Sequence, residues 1–225
     1  MNVLRHIMYQ IIFGGVGTFT RYFRRNGGLT AFVPIPVITL NSDLEITLSA
    51  WSDRPAVSFP YTMLGNSTSG THYLVVYDDL RVQLQAAGGA LVTPLGVWSI
   101  TKENKIVITR VGTLVTLNVN GTTVTGTTEL PLIFDQIYKY LTGSGFNFVG
   151  VISDIRVTDN GTLIRSYAMN DNSDVIVDSV NGQNGVVTNG SADDWGVFAD
   201  KSTLWKGQGL TVPPWVSIDQ ELLKE

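Results

Sequence analysis

The stretch "VGTLVTLNVNGTTVTG", residues 111–126, decides the fold class. Leu114, Thr116 and Asn118 alternate with Val115, Leu117 and Val119. Successive side chains of an extended strand point to opposite faces, so a period of two predicts a strand with one apolar and one polar face. Asn120-Gly121 then gives the strongest short-range hairpin signal, because a type I′ turn needs positive φ at both central residues. Gly112 serves the preceding turn in the same way. Thr and Val recur because β-branched side chains suit a pleated surface. Upstream, "NKIVITRVG" (104–112) is another strand-like run. Residues 104–126 are therefore predicted to form a three-stranded meander.

The same grammar runs outward in both directions. In "PVITLNSDLEITLSAWS" (36–52), Leu44, Ile46 and Leu48 alternate with Glu45, Thr47 and Ser49. "HYLVVYDDLRVQLQAAGG" (72–89) reads as two runs hinged at Asp78-Asp79, with Leu80, Val82 and Leu84 set against Arg81, Gln83 and Gln85. "FNFVGVISDIRVTDNGTLIRSYAM" (146–169) carries an Asn160-Gly161 turn, and "DVIVDSVNGQNGVVTNG" (174–190) reads strand, Gly/Asn loop, strand. Many strands, closely spaced turns and few helix-period windows predict an all-β, two-sheet antiparallel sandwich. The one predicted helix is terminal, "SIDQELLKE" (217–225). There Ser217 and Gln220 fit a capping box, and Pro213-Pro214 stops any earlier helix.

Composition narrows the chemistry. With no Cys there is neither a disulfide framework nor a thiol nucleophile, and only His6 and His72 are present, far apart. The length suits one large β domain. The net charge of −4 is unevenly placed. Arg5, Arg21, Arg24 and Arg25 make residues 1–27 basic, whereas residues 28–200 hold 16 acidic and 8 basic side chains. An acidic body does not suit phosphate contacts, so no nucleic-acid partner is expected. "HIMYQIIFGGVGTF" (6–19) is too short for a bilayer, which needs roughly 20 apolar residues, so no transmembrane segment is expected. Followed by "TRYFRRNGG" rather than a small-residue cleavage site, it reads as a docking arm. The alternative is a first strand with a Gly-rich link. The expected organisation is an arm at 1–27, a sandwich at 28–200 and a tail at 201–225. Both apolar ends are expected to dock on neighbours or on their own domain.

The order of pieces resembles a known family. The run "AFVPIPVITLNSDLEITLSAW", "TMLGNSTSGTHYLVVYDDLRVQL", "KIVITRVGTLVTLNVNG", "GFNFVGVISDIRVTDNG" is similar to the laminin-G-like branch of the concanavalin A-like lectin/glucanase superfamily. The resemblance lies in a strand, an Arg-x-Gly turn and a strand ending in Asn-Gly, then a "G-x-I-x-D-I-R-V" strand. It covers roughly residues 28–200. It implies a jelly-roll sandwich, in some members with a sugar on the concave face or rim. "RSYAMNDNSDVIVDSVNGQNGVVTNGSADDWGVF" (165–198) and "LTVPPWVSIDQELLKE" (210–225) resemble the closing segments of such domains in tailed-bacteriophage virion proteins. This implies a tail or capsid component, assembled in the host cytoplasm, held to other virion proteins through residues 1–27 and 201–225 and present as a homo-oligomer.

The hydrolytic branch of the superfamily carries E-x-D-x-x-E on one strand. None of Glu45, Glu103, Glu129, Glu221 and Glu225 forms that pattern, so no catalytic residue is expected. There is no G-x-S-x-G elbow either. Relatives often hold a rim Ca²⁺. "NDNSDVIVD" offers Asp171, Asp174 and Asp178, although the spacing is not that of an EF-hand and Asn and Asp are also turn residues. No cofactor other than such an ion is expected. Aromatic rings stack on sugar C–H faces, which makes Trp51, Tyr77, Tyr138 and Tyr140 candidate glycan contacts, together with Tyr73 and the loop residue His72. If "DQIYKYLTGSG" (135–145) is extended, Tyr138 and Tyr140 share a face. The alternative for each aromatic is a place in the core. The expectation is a non-enzymatic, lectin-like virion protein that binds host glycans. A polysaccharide-degrading enzyme and a secreted bacterial adhesion module are the alternatives.

Overall fold

The computed structural model describes residues 20–25, 31–40, 43–52, 60–86, 88–100, 102–141, 148, 150–169, 174–189 and 195–198. The strands in chain order begin with β1 (Thr20–Arg25), β2 (Val33–Leu40), β3 (Leu44–Trp51), β4 (Tyr61–Gly65) and β5 (Tyr73–Val76). Next come β6 (Val82–Ala86), β7 (Gly89–Val92), β8 (Asn104–Val111), β9 (Leu114–Val119), β10 (Thr122–Thr127) and β11 (Leu132–Ile137). The last are β12 (Gly150–Asp159), β13 (Thr162–Tyr167), β14 (Val175–Ile176), β15 (Gly185–Val186) and β16 (Trp195–Phe198). Among the described residues there is no helix, and so none long and apolar enough to cross a membrane. The helix expected at 217–225 lies outside the described residues, as do the apolar stretch 6–19 and the whole of 201–225.

Two large sheets face each other. One has eight strands in the order β10-β9-β8-β3-β12-β1-β16, with β13 also paired to β12. The other has six, in the order β2-β11-β4-β5-β6-β7, and β14-β15 forms a small ribbon. Pairing is antiparallel throughout. The sandwich predicted from alternation is therefore observed. One adjustment concerns the segment 1–27: its residues Thr20–Arg25 pair with β12 and β16 inside the large sheet. There β1 supplies the hydrogen-bonding partner that the Gly150–Val151 end of β12 requires.

The meander at 104–126 is β8-β9-β10, and its turns are those the sequence specifies. Asn120 and Gly121 sit at φ 54° and 90°, and Asn160-Gly161 repeats the arrangement between β12 and β13. Ile106, Ile108, Val115, Leu117 and Val119 face the core with Ile46 and Leu48 of β3. Leu74, Leu84, Val82 and Phe134 meet them from the six-stranded sheet. Close packing of two inner faces makes this one continuous core. Arg110, the Arg of the Arg-x-Gly turn, is buried and ties that corner together. Its guanidinium donates to the carbonyl oxygens of Gly112 (2.7 Å), Leu130 (3.0 Å) and Thr128 (3.5 Å).

Candidate functional site

The outer face of the six-stranded sheet carries a grouping of aromatic and amide side chains. The antiparallel register sets Tyr73 opposite Gln85 and Val75 opposite Gln83. With Leu74, Val82 and Leu84 committed to the core, period two sends Tyr73, Gln83 and Gln85 to the opposite face. The turn after β5 then adds Tyr77. Here Asp79 Oδ1 accepts from the Arg81 amide (3.1 Å), the Tyr77 amide donates to the Arg81 carbonyl (2.9 Å), and Leu80 takes φ 63°. The hairpin read at Asp78-Asp79 is thus observed.

Hydrogen bonds order these side chains into a row. The Tyr77 hydroxyl donates to Gln83 Oε1 (2.8 Å). Gln83 Nε2 donates to the Tyr73 hydroxyl (3.0 Å) and to Gln85 Oε1 (3.1 Å). The Arg81 guanidinium lies 5.0 Å from the Tyr77 ring centroid and pairs with Asp79 at 2.8 Å. Tyr140 stands against this row with its ring edge-on to Tyr73, 4.8 Å between centroids, and its hydroxyl donates to the Gly70 carbonyl (3.0 Å). Burial is the first cause raising the phenols of Tyr73 and Tyr77 above their ordinary range; the neighbouring Tyr77 and Tyr140 add to it at Tyr73, while at Tyr77 Arg81 opposes it and Asp79 and Tyr140 add to it. Both therefore remain neutral hydroxyls at physiological pH.

Tyr140 reaches the row because the chain after β11 doubles back over the sheet. Gly65 permits this: a Cβ there would meet the Lys139 carbonyl oxygen at 2.0 Å and that of Tyr140 at 2.6 Å. The loop after Gly65 is built to receive the Tyr140 hydroxyl. Asn66 Oδ1 accepts from the amides of Thr68 and Ser69 (2.9 Å each), an Asx turn that presents Gly70. Asp135 Oδ1 accepts from the Ser67 amide (2.7 Å), which fixes the same loop to β11. The result is a half-exposed shelf of three tyrosines and two glutamines, with Arg81 at one end.

Of the residues expected to contact glycan, Tyr77 and Tyr140 are on the shelf, as is Tyr73. Tyr138 is not. The strand ends at Ile137, Tyr138 takes φ 71°, and its side chain is fully buried. Its hydroxyl accepts from the Ile152 amide of the opposite sheet (2.8 Å), so it is a pillar between layers and offers no ring face to a sugar. Tyr138 and Tyr140 do not share a face. Trp51 is 3% exposed and likewise closed to ligand. His72 is 5% exposed, and among the described residues Nδ1 has no hydrogen-bond partner. Burial lowers its pKa, which keeps the ring neutral, and it is not a solvated loop residue. Gln83 and Gln85 were not singled out as site residues, although their alternation with Val82 and Leu84 already placed them outward.

The metal expectation fares differently residue by residue. Asp171 lies outside the described residues. Asp174 is exposed, and its carbonyl accepts from the Val187 amide (2.7 Å). Asp178 is buried and occupied by the backbone: Oδ1 accepts from Ser166 (2.9 Å) and Val180 (3.1 Å), and Oδ2 accepts from Gln183 (3.3 Å). Arg165 pairs with it at 3.8 Å. Its carboxylate fastens the 178–184 turn to β13. Among the described residues, no three His, Asp or Glu side chains are grouped so as to hold an ion.

No protein-family model matches the chain, and no curated protein matches it in sequence. Solved structures do. A native heptameric SAP-like pentraxin from Limulus polyphemus superimposes on 83% of this chain and 97% of its own, with a TM-score of 0.51 at 10% identity. The fold is a concanavalin A-like jelly roll. Other likenesses are to the LG4-5 domains of the mouse laminin alpha1 chain and to the enzymatically active domain of bacteriophage CBA120 tailspike protein 2. The laminin match has a TM-score of 0.45 at 16% identity, over 66% of this chain and 44% of that one. The tailspike match has a TM-score of 0.40 at 12% identity, over 68% and 33%. The chain thus spans less than half the length of the laminin structure.

Proposed function

We propose that this jelly roll is a non-enzymatic, glycan-binding component of a tailed-bacteriophage virion. The observation that carries the binding role is the shelf of Tyr73, Tyr77, Tyr140, Gln83 and Gln85. Tyrosine faces accept sugar C–H groups, and phenol and carboxamide groups exchange hydrogen bonds with hydroxyls. The row is shallow and partly solvated, which suits weak contacts multiplied by display of many copies. A binding role is favoured over bond cleavage by the state of the carboxylates beside the shelf. Glycosidases place two carboxyl groups about 5–10 Å apart across the scissile bond. Here Asp79 is engaged by Arg81, and Asp135 by Ser67. The virion setting, with docking through 1–27 and 201–225, rests on the sequence resemblance of residues 165–198 and 210–225.

The test is a glycan array probed with the protein both as free chain and displayed on multivalent particles. Signal is expected from the particles and not from the free chain. Tyr73→Ala and Tyr140→Ala should each weaken binding by about tenfold or more, as truncation of an anchoring aromatic does. Absence of signal in both formats contradicts the binding role. Release of reducing ends from host polysaccharide would replace it with an enzymatic one.

A further inference from the structure

Among the described residues, β10 is an open edge of the eight-stranded sheet, and its own sequence lacks the devices that usually blunt such an edge. Exposed edges normally carry a charge, a proline or a bulge. β10 reads TTVTGT, and its register with β9 runs from Thr122↔Val119 to Thr127↔Leu114 without a shift. No charged side chain occurs anywhere in 111–128, nor in 82–101, the run that contains the other sheet's edge strand β7. The chain as a whole is 15% charged, so one side wall of the sandwich has been kept neutral over both of its edge strands.

The hairpin geometry says which backbone groups are open. Around a two-residue turn the flanking pair, Val119 and Thr122, exchange both hydrogen bonds. Alternate residues Val124 and Gly126 then do the same, and the Thr128 amide continues the series by donating to the Thr113 carbonyl (2.8 Å). Thr123, Thr125 and Thr127 therefore aim their N–H and C=O groups away from β9, and all three are exposed.

We infer that this edge pairs with the β10 of a second copy, antiparallel about a two-fold axis at Thr125. The three open residues are spaced so that such an axis sets Thr125 against its own copy and Thr123 against Thr127 of the other chain. Every open donor meets an open acceptor. Thr–Thr cross-strand pairs are favourable on one face; on the other, Val124 is set opposite Gly126, whose Cβ position is taken up by the Leu91 side chain of β7. A cleft of about 170 Å³ lies between β7 and β10 beside this edge, lined by Ala90, Leu91, Thr125 and Thr127 among others. A two-fold brings each residue near the axis close to its own copy, so any charge there would meet its like. An uncharged strand is what self-pairing requires, and this feature singles out a second copy over a partner of opposite charge. The inference is independent of the glycan reading, since the shelf lies on the other sheet.

The test is sedimentation of the full chain together with amide hydrogen exchange. The wild type is expected to form dimers at concentrations on the order of 100 µM or below. The amides of Thr123, Thr125 and Thr127 should exchange more slowly as the dimer fills. Thr125→Lys, at an exposed position that leaves the β9–β10 pairing intact, should weaken dimerisation by about tenfold or more while keeping the circular-dichroism spectrum. Thr109→Lys, on the same face but two strands inward, should leave it unchanged. The inference is overturned by a wild type that stays monomeric, by trimers or open chains, or by fast exchange of the three amides in the dimer. Equal loss in the Thr109 variant, which would put the contact on the face instead of the edge, overturns it as well.

Discussion

Gly65→Ala is expected to destabilise the fold by about 3 kcal/mol and to remove glycan binding at the same time. The added methyl would lie 2.0 Å from the Lys139 carbonyl oxygen and 2.6 Å from that of Tyr140. Both obstacles are backbone, so no side-chain rotation relieves the clash, and overpacking of this kind typically costs about 1–3 kcal/mol before any lost contacts are counted. The returning segment must lift. Lifting it breaks the Tyr140–Gly70 hydrogen bond, the edge-on contact between Tyr140 and Tyr73, and the placement of the Lys139 ammonium 3.8 Å from the Phe32 ring centroid. Urea unfolding reads the first effect and multivalent glycan binding the second. A stable Gly65→Ala protein with unchanged binding would mean that the segment does not lie where the structure puts it.

Tyr138→Ala is expected to cost about 4–5 kcal/mol with no specific effect on glycan contacts. Truncating a fully buried aromatic typically costs about 3–5 kcal/mol, and here the Ile152 amide also loses its acceptor. The ring leans on Phe148 with centroids 6.1 Å apart, and Phe148 in turn meets Trp98 edge-on at 5.8 Å, so the cavity would open inside an aromatic chain. Tyr138→Phe isolates the hydrogen bond. It should cost about 1–2 kcal/mol, the penalty of one unsatisfied buried donor, and bind glycan as the wild type does. Thermal unfolding of the two variants, with binding measured well below their midpoints, checks both statements.

The contrast between Tyr138 and Tyr140 shows where sequence reasoning stops. Strand positions such as Ile46, Ile108 and Leu117 were legible because burial on one face imposes a period of two on the sequence itself. The Asn120-Gly121 and Asn160-Gly161 turns were legible because few residues accept their backbone angles. Tyr138 also takes a left-handed φ, but nothing in an aromatic residue announces it, so "IYKY" could be read with both rings on one side only on the condition that it is extended, which it is not. The shelf was half legible. Alternation placed Gln83 and Gln85 outward, whereas their union with Tyr73 depends on the register fixed by the 77–81 turn, and with Tyr140 on a contact across nearly seventy residues of chain. His72 misled for a related reason. A polar residue in "GNSTSGTH" reads as solvated, yet the Asx turn at Asn66 and the Asp135 anchor fold that loop back and close His72 inside. Asp178 read as a metal ligand because loop carboxylates serve both purposes, and only the backbone amides converging on it separate the two.

The most direct test follows the shelf itself. An oligosaccharide chosen from the array is titrated into the isotope-labelled full chain while ring and side-chain amide signals are followed by NMR. The signals of Tyr73, Tyr77 and Tyr140 and the carboxamides of Gln83 and Gln85 should move together along one binding curve, with Tyr138, Phe134 and Trp98 unmoved. Shifts gathered anywhere else on the molecule, with these five side chains silent, would contradict the account.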